Sequence, residues 1–281
     1  MRFYALLPVF LLFLVCTQSL YGQYYGVKEP RQGNWALGLS AGTAILRGDV
    51  PADLPAPEAG LFLQKSVSRA LDFRVSFHLG STTGLDISPT SGFRFNSALN
   101  GEADSMRFYD STAQVFLNYQ MKYGDLDFLF KLNVNRFFAS EGAENWDLFV
   151  LAGMAVQFYQ THINAWDEST NNIYPYNNIN LSEPDNVKTQ LREMLDNSYE
   201  TPGQQDLVSS SRFGNYFLNT GFVLGGGIRF AVSDHLSLGL QGRYLIVGDD
   251  LLDGQQWAPD NQQSTDNDRL VSGSLTFDYS F

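Results

Sequence analysis

The sequence lacks most of what would staple a small secreted protein or hold a metal. Its 281 residues include one cysteine, Cys16, and three histidines. Cys16 falls in the leader described below, so the chain beyond it can form no disulfide and no thiolate metal site. His78, His162 and His235 stand in no H-E-x-x-H or paired-ligand spacing, so no metal and no cofactor is expected. Positive charge is scarce as well: 18 Lys and Arg against 30 Asp and Glu give a formal net charge of −12. That balance argues against nucleic acid as a partner, because binding a polyanion needs clustered Lys and Arg. Beyond the first residues, no apolar run approaches the roughly 20 residues of a membrane-spanning helix. Helical insertion is therefore excluded. A membrane β-barrel is not, since its strands need be apolar on one face only.

The chain opens with Arg2, then an apolar run from Ala5 to Val15 broken only by Pro8, then small and polar residues up to Gly22. This order of segments reads as a secretory signal peptide, too short to span a membrane, with cleavage after Gly22. A lipoprotein signal wants a small residue before its cysteine, and Val15 stands there instead, so Cys16 reads as an ordinary leader residue. Losing the leader removes Arg2 and makes the remainder one charge more negative. The expected organisation is a signal peptide at 1–22, an N-terminal periplasmic segment at 23–33 and a transmembrane β-barrel at 34–281.

What the sequence has in abundance is alternation. In 71–80, Leu71, Phe73, Val75, Phe77 and Leu79 fall on one face of a strand, with Asp72, Arg74, Ser76 and His78 on the other. Around Asp127–Asn135, Phe128, Phe130, Leu132 and Val134 oppose Leu129, Lys131, Asn133 and Asn135. Two further strands flank Ser233-Asp234, and their second faces carry Arg229 and Arg243 among Gly, Ser and Gln. Full charges in mid-strand beside small residues suit the narrow lumen of a barrel. The expected lumen charge network is Asp72, Arg74, His78, Lys131, Arg229, Arg243 and Asp278, with Asp72 and Asp278 as counterions. Connections alternate between short (68–70 and 233–234) and long (47–58, 81–106, 161–213 and 249–266). Outer-membrane barrels have short periplasmic turns and long outer loops.

The last residues alternate to the end: Gly273, Leu275, Phe277, Tyr279 and Phe281 against Ser274, Thr276, Asp278 and Ser280. A final strand ending in Phe, with aromatics at alternate positions before it, resembles the signal read by the outer-membrane barrel assembly machinery. With both termini periplasmic, the strand number must be even. Strands are expected near 34–46, 58–67, 71–81, 126–136, 146–160, 216–232, 235–248 and 268–281. That makes eight. Residues 107–123 also alternate; they either extend the fourth strand or pair near Gly92–Asn96 to give ten.

The order and spacing of several segments resemble the OmpA-type outer-membrane β-barrel family. They are Asn34–Leu39, Phe128–Asn135, Phe149–Gly153, Gly225–Phe230, Leu236–Leu240 leading to Asp249–Gly254, and Gly273–Phe281. The resemblance implies an all-β, closed antiparallel barrel in the outer membrane. It covers the barrel alone, without the peptidoglycan-binding domain that many members carry after it, so tethering to the cell wall is not carried over.

Reactive constellations are absent. Gly225-Gly226-Gly227 lacks the Lys-Ser/Thr of a phosphate loop. His235 and Ser237 form a His-x-Ser pair of the kind found in an outer-membrane lipid A deacylase, but the short turn before His235 puts it at the periplasmic rim. The acidic final loop (Asp249, Asp250, Asp253, Asp260, Asp266 and Asp268) has no calcium-loop spacing. Inside 161–213, Ser182-Glu183-Pro184-Asp185 reads as a helix start, with Val187, Leu191, Met194 and Leu195 at helical spacing. The functional expectation is a non-enzymatic outer-membrane protein with a side-chain-filled lumen and a structural or surface-interaction role. A narrow pore or a subunit of a larger envelope complex is the alternative, and a lipid-modifying enzyme a third. Expected partners are outer-membrane lipids, the assembly machinery during biogenesis and an envelope protein met through the outer loops.

Overall fold

The computed structural model describes residues 34–101, 106–110, 113–138, 145–203, 211–257, 262–264 and 267–281. The leader at 1–22, the segment at 23–33, Asp260 and Asp266 lie outside them. Eight long strands form the wall: β1 (Trp35–Arg47), β2 (Ala56–Ser66), β3 (Leu71–Leu85), β4 (Asn118–Asn133), β5 (Trp146–Ile163), β6 (Tyr216–Ala231), β7 (Leu236–Val247) and β8 (Arg269–Ser280). Each pairs antiparallel with its sequence neighbours, and β8 pairs with β1 from Ala36↔Ser280 to Arg47↔Arg269. The sheet is closed. Its seam runs to the last residue, since Phe281 N–H donates to Trp35 O at 2.8 Å.

The period-two pattern decides which way each residue points, and the result inverts a soluble protein. Leu37, Leu39, Leu61, Phe130, Phe222 and Leu275 lie exposed on the outside, while Asp72, Arg74, Asp127, Lys131 and Arg243 are buried within. Closure satisfies the backbone groups along the wall, so an apolar exterior of this kind suits lipid. Two of the tight turns share the pattern Val-Ser-x-x-Leu. Val67-Ser68-Arg69-Ala70-Leu71 and Val232-Ser233-Asp234-His235-Leu236 both place a Ser Oγ 3.1 Å from the Leu N–H three residues on. The second turn occupies 232–235, four residues rather than the expected two, because Val232 and Ser233 both donate to Leu236 O. Glycine is required where aromatic rings cross to a neighbouring strand: a Cβ on Gly38 would sit 2.1 Å from the Phe62 ring.

Residues 107–123 resolve in favour of eight strands. Asn118–Tyr123 extend β4 upward, eight residues earlier than expected, and pair with β3 and β5. Gly92–Phe95 forms a 3-10 turn instead of a strand, and Val115 makes only an isolated bridge to Thr90. At its other end β4 stops at Asn133, where a strand to 136 was expected. A short helix, α1 (Val134–Phe138), takes over there, at the end of the barrel that carries the tight turns.

The long connections fold together into a cap. Phe93, Tyr109, Phe116, Tyr174 and Tyr176 gather in its centre; Tyr109 stacks on Tyr176 with centroids 5.5 Å apart. Helix α2 (Pro184–Met194) lays Val187 and Leu191 into that core, with Met194 packed against it and Leu195 buried just past its end. Pro184 at its first turn suits helix entry, where its missing N–H costs nothing. Asn96 joins two loops, its Nδ2 donating to Gly254 O at 2.9 Å.

Candidate functional site: a charged lumen under a folded cap

The inward residues form layers. At the end with the tight turns, Arg229 donates to Asp278 at 2.8 Å and approaches Asp147 at 3.3 Å, and Arg136 from α1 donates to Asp147 at 3.1 Å. Next, Lys131 lies 3.7 Å from Asp72, whose Oδ2 also accepts from Gln64 at 2.8 Å and Asn133 at 3.1 Å. Arg74 has amide partners: Gln64 Oε1 at 2.6 Å and Gln241 Oε1 at 2.8 Å, with the Phe62 ring 4.0 Å from its guanidinium. Above them Arg243 donates to Asp127 at 2.8 and 2.9 Å and to Asp125 at 2.9 Å. His78 lies 3.6 Å from Asp127 and 3.7 Å from Glu58, too far for hydrogen bonds. Tyr123 OH donates to Glu58 at 2.8 Å.

All seven residues singled out in the sequence therefore point inward, though as separate groups: Arg229 with Asp278, Lys131 with Asp72, Arg74 on amides, Arg243 and His78 among other acids. Sequence reasoning missed those other acids: Asp125, Asp127, Glu58 and Asp147. A signal existed, because Asp125 and Asp127 share the strand phase of Lys131. Which of them meets Arg243, over 110 residues away, depends on closure.

Above Arg243 the lumen turns apolar. Leu46, Met121, Tyr119, Leu245 and Leu270 are essentially inaccessible, and Val50 and Leu252 of the outer loops close over them. Apart from the buried Asp253 and Asp268 of the final loop, charged side chains give way here to apolar ones. The cap is tied down at its edge by Asp53, which takes Lys188 and both a 2.7 and a 2.8 Å contact from Arg192, one helical turn apart on α2. Partial burial pushes the Asp53 carboxyl up, but its hydrogen bonds and charge contacts with Lys188 and Arg192 outweigh this and hold it below the usual value. Beside the clamp opens a cavity of about 190 Å³ lined in part by Thr83, Asn118, Arg192 and Tyr199. Asn197 and Tyr199 at its edge adopt left-handed backbone, with φ of 61° and 47°.

The acidic final loop is structural. Asp253 accepts from Val50 N–H at 2.8 Å and Gln255 N–H at 3.0 Å; Asp268 accepts from Leu252 N–H at 2.7 Å. Both carboxylates crowd against Gly48, where a Cβ would lie 2.1 Å from one and 2.6 Å from the other. Burial, with nearby acids adding to it, pushes Asp253 up to about 8, and burial with the Asp253 charge raises Asp268 as well.

His235 and Ser237 do not come together. Ser237 is buried in the lumen, whereas His235 sits in the exposed turn, stacked on Tyr279 with Nδ1 2.8 Å from Ser280 O. The strand begins only at Leu236, so His235 and Ser237 do not lie on one strand face. Among the described residues, no group of three or more His, Cys, Asp or Glu is arranged to hold a metal. In β8 and at the last residue, Leu275, Phe277, Tyr279 and Phe281 face outward, and Gly273 between them is exposed too.

A closed ladder with an apolar outside and a charged, filled inside has one reading. This is the transmembrane β-barrel fold. No protein-family model and no curated protein sequence matches the chain. Among solved structures it is similar to Ail, the attachment invasion locus protein of Yersinia pestis, at 10% identity and a TM-score of 0.41, covering 89% of this chain and 100% of that one. Neisserial surface protein A is similar at 9% identity and a TM-score of 0.40, covering 88% and 97%. The outer membrane enzyme PagL is similar at 12% identity and a TM-score of 0.30, covering 86% and 97%. Such likeness extends to the strand plan and carries nothing about activity.

Proposed function

We propose that the chain is a non-enzymatic protein of the Gram-negative outer membrane that works through its folded outer cap, its lumen closed to solutes. The filling of the lumen carries this reading: charge layers at the periplasmic end and in the middle, then the apolar layer of Leu46, Met121, Leu245 and Leu270 beneath the loops. An eight-stranded interior is just wide enough for side chains, and here they occupy it at each level. The outward belt supports a membrane location, and the outward Leu275, Phe277, Tyr279 and Phe281 support recognition by the assembly machinery. The cap, with its polar cavity beside Asp53 and Arg192, is the surface left to meet a partner from the envelope or beyond. The separation of His235 from Ser237 removes the catalytic pair that the enzymatic alternative relied on.

Purified protein inserted in planar bilayers tests the closed lumen. The expected result is no unitary conductance at any holding voltage; reproducible single-channel steps would favour the narrow pore instead. Fractionation of cell envelopes tests the location, with recovery in the soluble periplasm as the contrary outcome.

A further inference from the structure

The outward face also carries charge. Arg47 is the last residue of β1 and Arg269 the first of β8, and the register sets them directly opposite each other. Both are exposed. Like charges so placed repel, since opposed residues have Cβ atoms only about 5 Å apart. Among the described residues neither arginine makes an ion pair, and the nearby acids Asp253 and Asp268 are turned inward and buried. The lumen arginines, by contrast, all have carboxylate or amide partners. Both guanidinium groups are exposed and so open to an anion from outside the chain.

Their height says which kind. Arg47 lies twelve residue steps along β1 from Trp35. At about 3.3 Å per residue and a tilt near 40°, that is roughly 30 Å of vertical rise, slightly more than the apolar band of about 25 Å. Trp35 and Tyr279 mark the inner interface, so Arg47 and Arg269 stand at the outer headgroup level. Directly below them come Ile45, Val271 and Tyr244, then Thr43, Gly273 and Gly242 in one cross-strand row. A Cβ on Gly273 would meet nothing within 4 Å, so this row is a shallow trough in the wall, bounded beneath by exposed Leu240 and Leu275.

We propose that Arg47 and Arg269, with the trough of Thr43, Gly242 and Gly273 below them, hold one phosphate-bearing lipid of the outer leaflet. The two guanidinium forks take the phosphate oxygens, a geometry arginine matches and lysine does not. The trough takes an acyl chain descending from the same headgroup. Phosphate relieves the repulsion between the arginines, and the trough limits the choice to an acylated ligand. The inference rests on the outer-membrane reading, and fractionation of each variant separates loss of that location from loss of this site.

The test is lipid retention by the full chain in mild detergent, read by native mass spectrometry. The probes are phosphorylated lipid A, the same lipid with its phosphates removed, and inorganic phosphate. Wild type is expected to retain one phosphorylated lipid and to release the dephosphorylated form. Replacing both Arg47→Gln and Arg269→Gln is expected to weaken retention about thirtyfold, two surface charges' worth. Lys122→Gln, which removes an exposed cation on the opposite wall, leaves retention unchanged. Gly273→Leu fills the trough without touching either arginine and is expected to weaken retention as well, which keeps the test open if the double variant fails to fold. Equal retention by the folded double variant, equal retention of dephosphorylated lipid, or displacement of the lipid by millimolar inorganic phosphate would each overturn the proposal.

Discussion

The two ends of the lumen solve one problem in opposite ways. Toward the periplasm the barrel interior is filled by charges: Arg229 with Asp278, Lys131 with Asp72, Arg243 with Asp125 and Asp127. Toward the outside it is filled by Leu46, Met121, Leu245 and Leu270, continuous with the aromatic core of the loops. Between its two rims the outward face is committed to lipid, so there the wall has only its inner face left for charge. Buried charge holds only when it is paired. Above the membrane the loops are surrounded by water again, and they build an apolar core as a soluble domain does, with Asp253 and Asp268 buried where they accept backbone N–H groups. The difference teaches that the solvent beyond the wall, more than the strand itself, sets what the interior can be.

The comparison breaks most visibly at Arg243. Arg243→Leu leaves Asp125 and Asp127 buried without their cation, and removing one partner of such a group costs about 3–5 kcal/mol. Urea unfolding of the refolded barrel, followed by its gel mobility shift, is expected to move by that amount. Adding Asp125→Asn and Asp127→Asn should restore most of it. If the single variant is as stable as wild type, the charged layer is not what organises the lumen.

Leu191→Ala strikes the other interior. It empties a fully buried position in the cap core, at a cost of about 2–5 kcal/mol. Here the loss is expected to stay local: hydrogen exchange should speed up in 86–101 and 164–203 while β6, β7 and β8 keep their protection. Equal loss throughout the strands would mean that cap and barrel unfold as one unit.

The smallest effect sharpens the boundary between the two. Burial, with nearby acids adding to it, pushes the Asp253 carboxyl up to about 8 in the folded cap, whereas in an opened loop it returns to the ordinary value of 3.8. The folded state therefore binds more protons between those values, and the cap loses stability as pH rises from about 4 to about 8. Exchange in 249–257, corrected for intrinsic rates, should accelerate across that window. Asp253→Asn should flatten the dependence, and a pH profile unchanged by it would show that another group sets the response.

Much of the wall was legible because alternation is a local property. Seven of the eight strands lie within a few residues of their expected bounds, and α2 begins at the Pro184 that marked its start. The start of β4 was not legible. Contrast between an apolar outside and a polar inside is what reveals a barrel strand, and it is reversed here: inward Tyr119 and Met121 are buried and apolar, while Gln120 and Lys122 on the other face are polar. The cap was also obscured. Its core residues Phe93, Tyr109, Phe116, Tyr174 and Tyr176 come from three separate stretches of polar-rich loop that share no common period.

The sequence by itself determined the alternating faces of most strands and the inward direction of Asp72, Arg74, His78, Lys131, Arg229, Arg243 and Asp278, since these follow from residues two apart; the choice of eight strands over ten came with the structure. Only the tertiary structure decided which acid meets which base, that Gly48 packs between two carboxyl groups, and that Arg47 faces Arg269. Those pairings are fixed by the stagger at which β8 closes on β1, and that stagger belongs to the whole ring of strands rather than to any one of them.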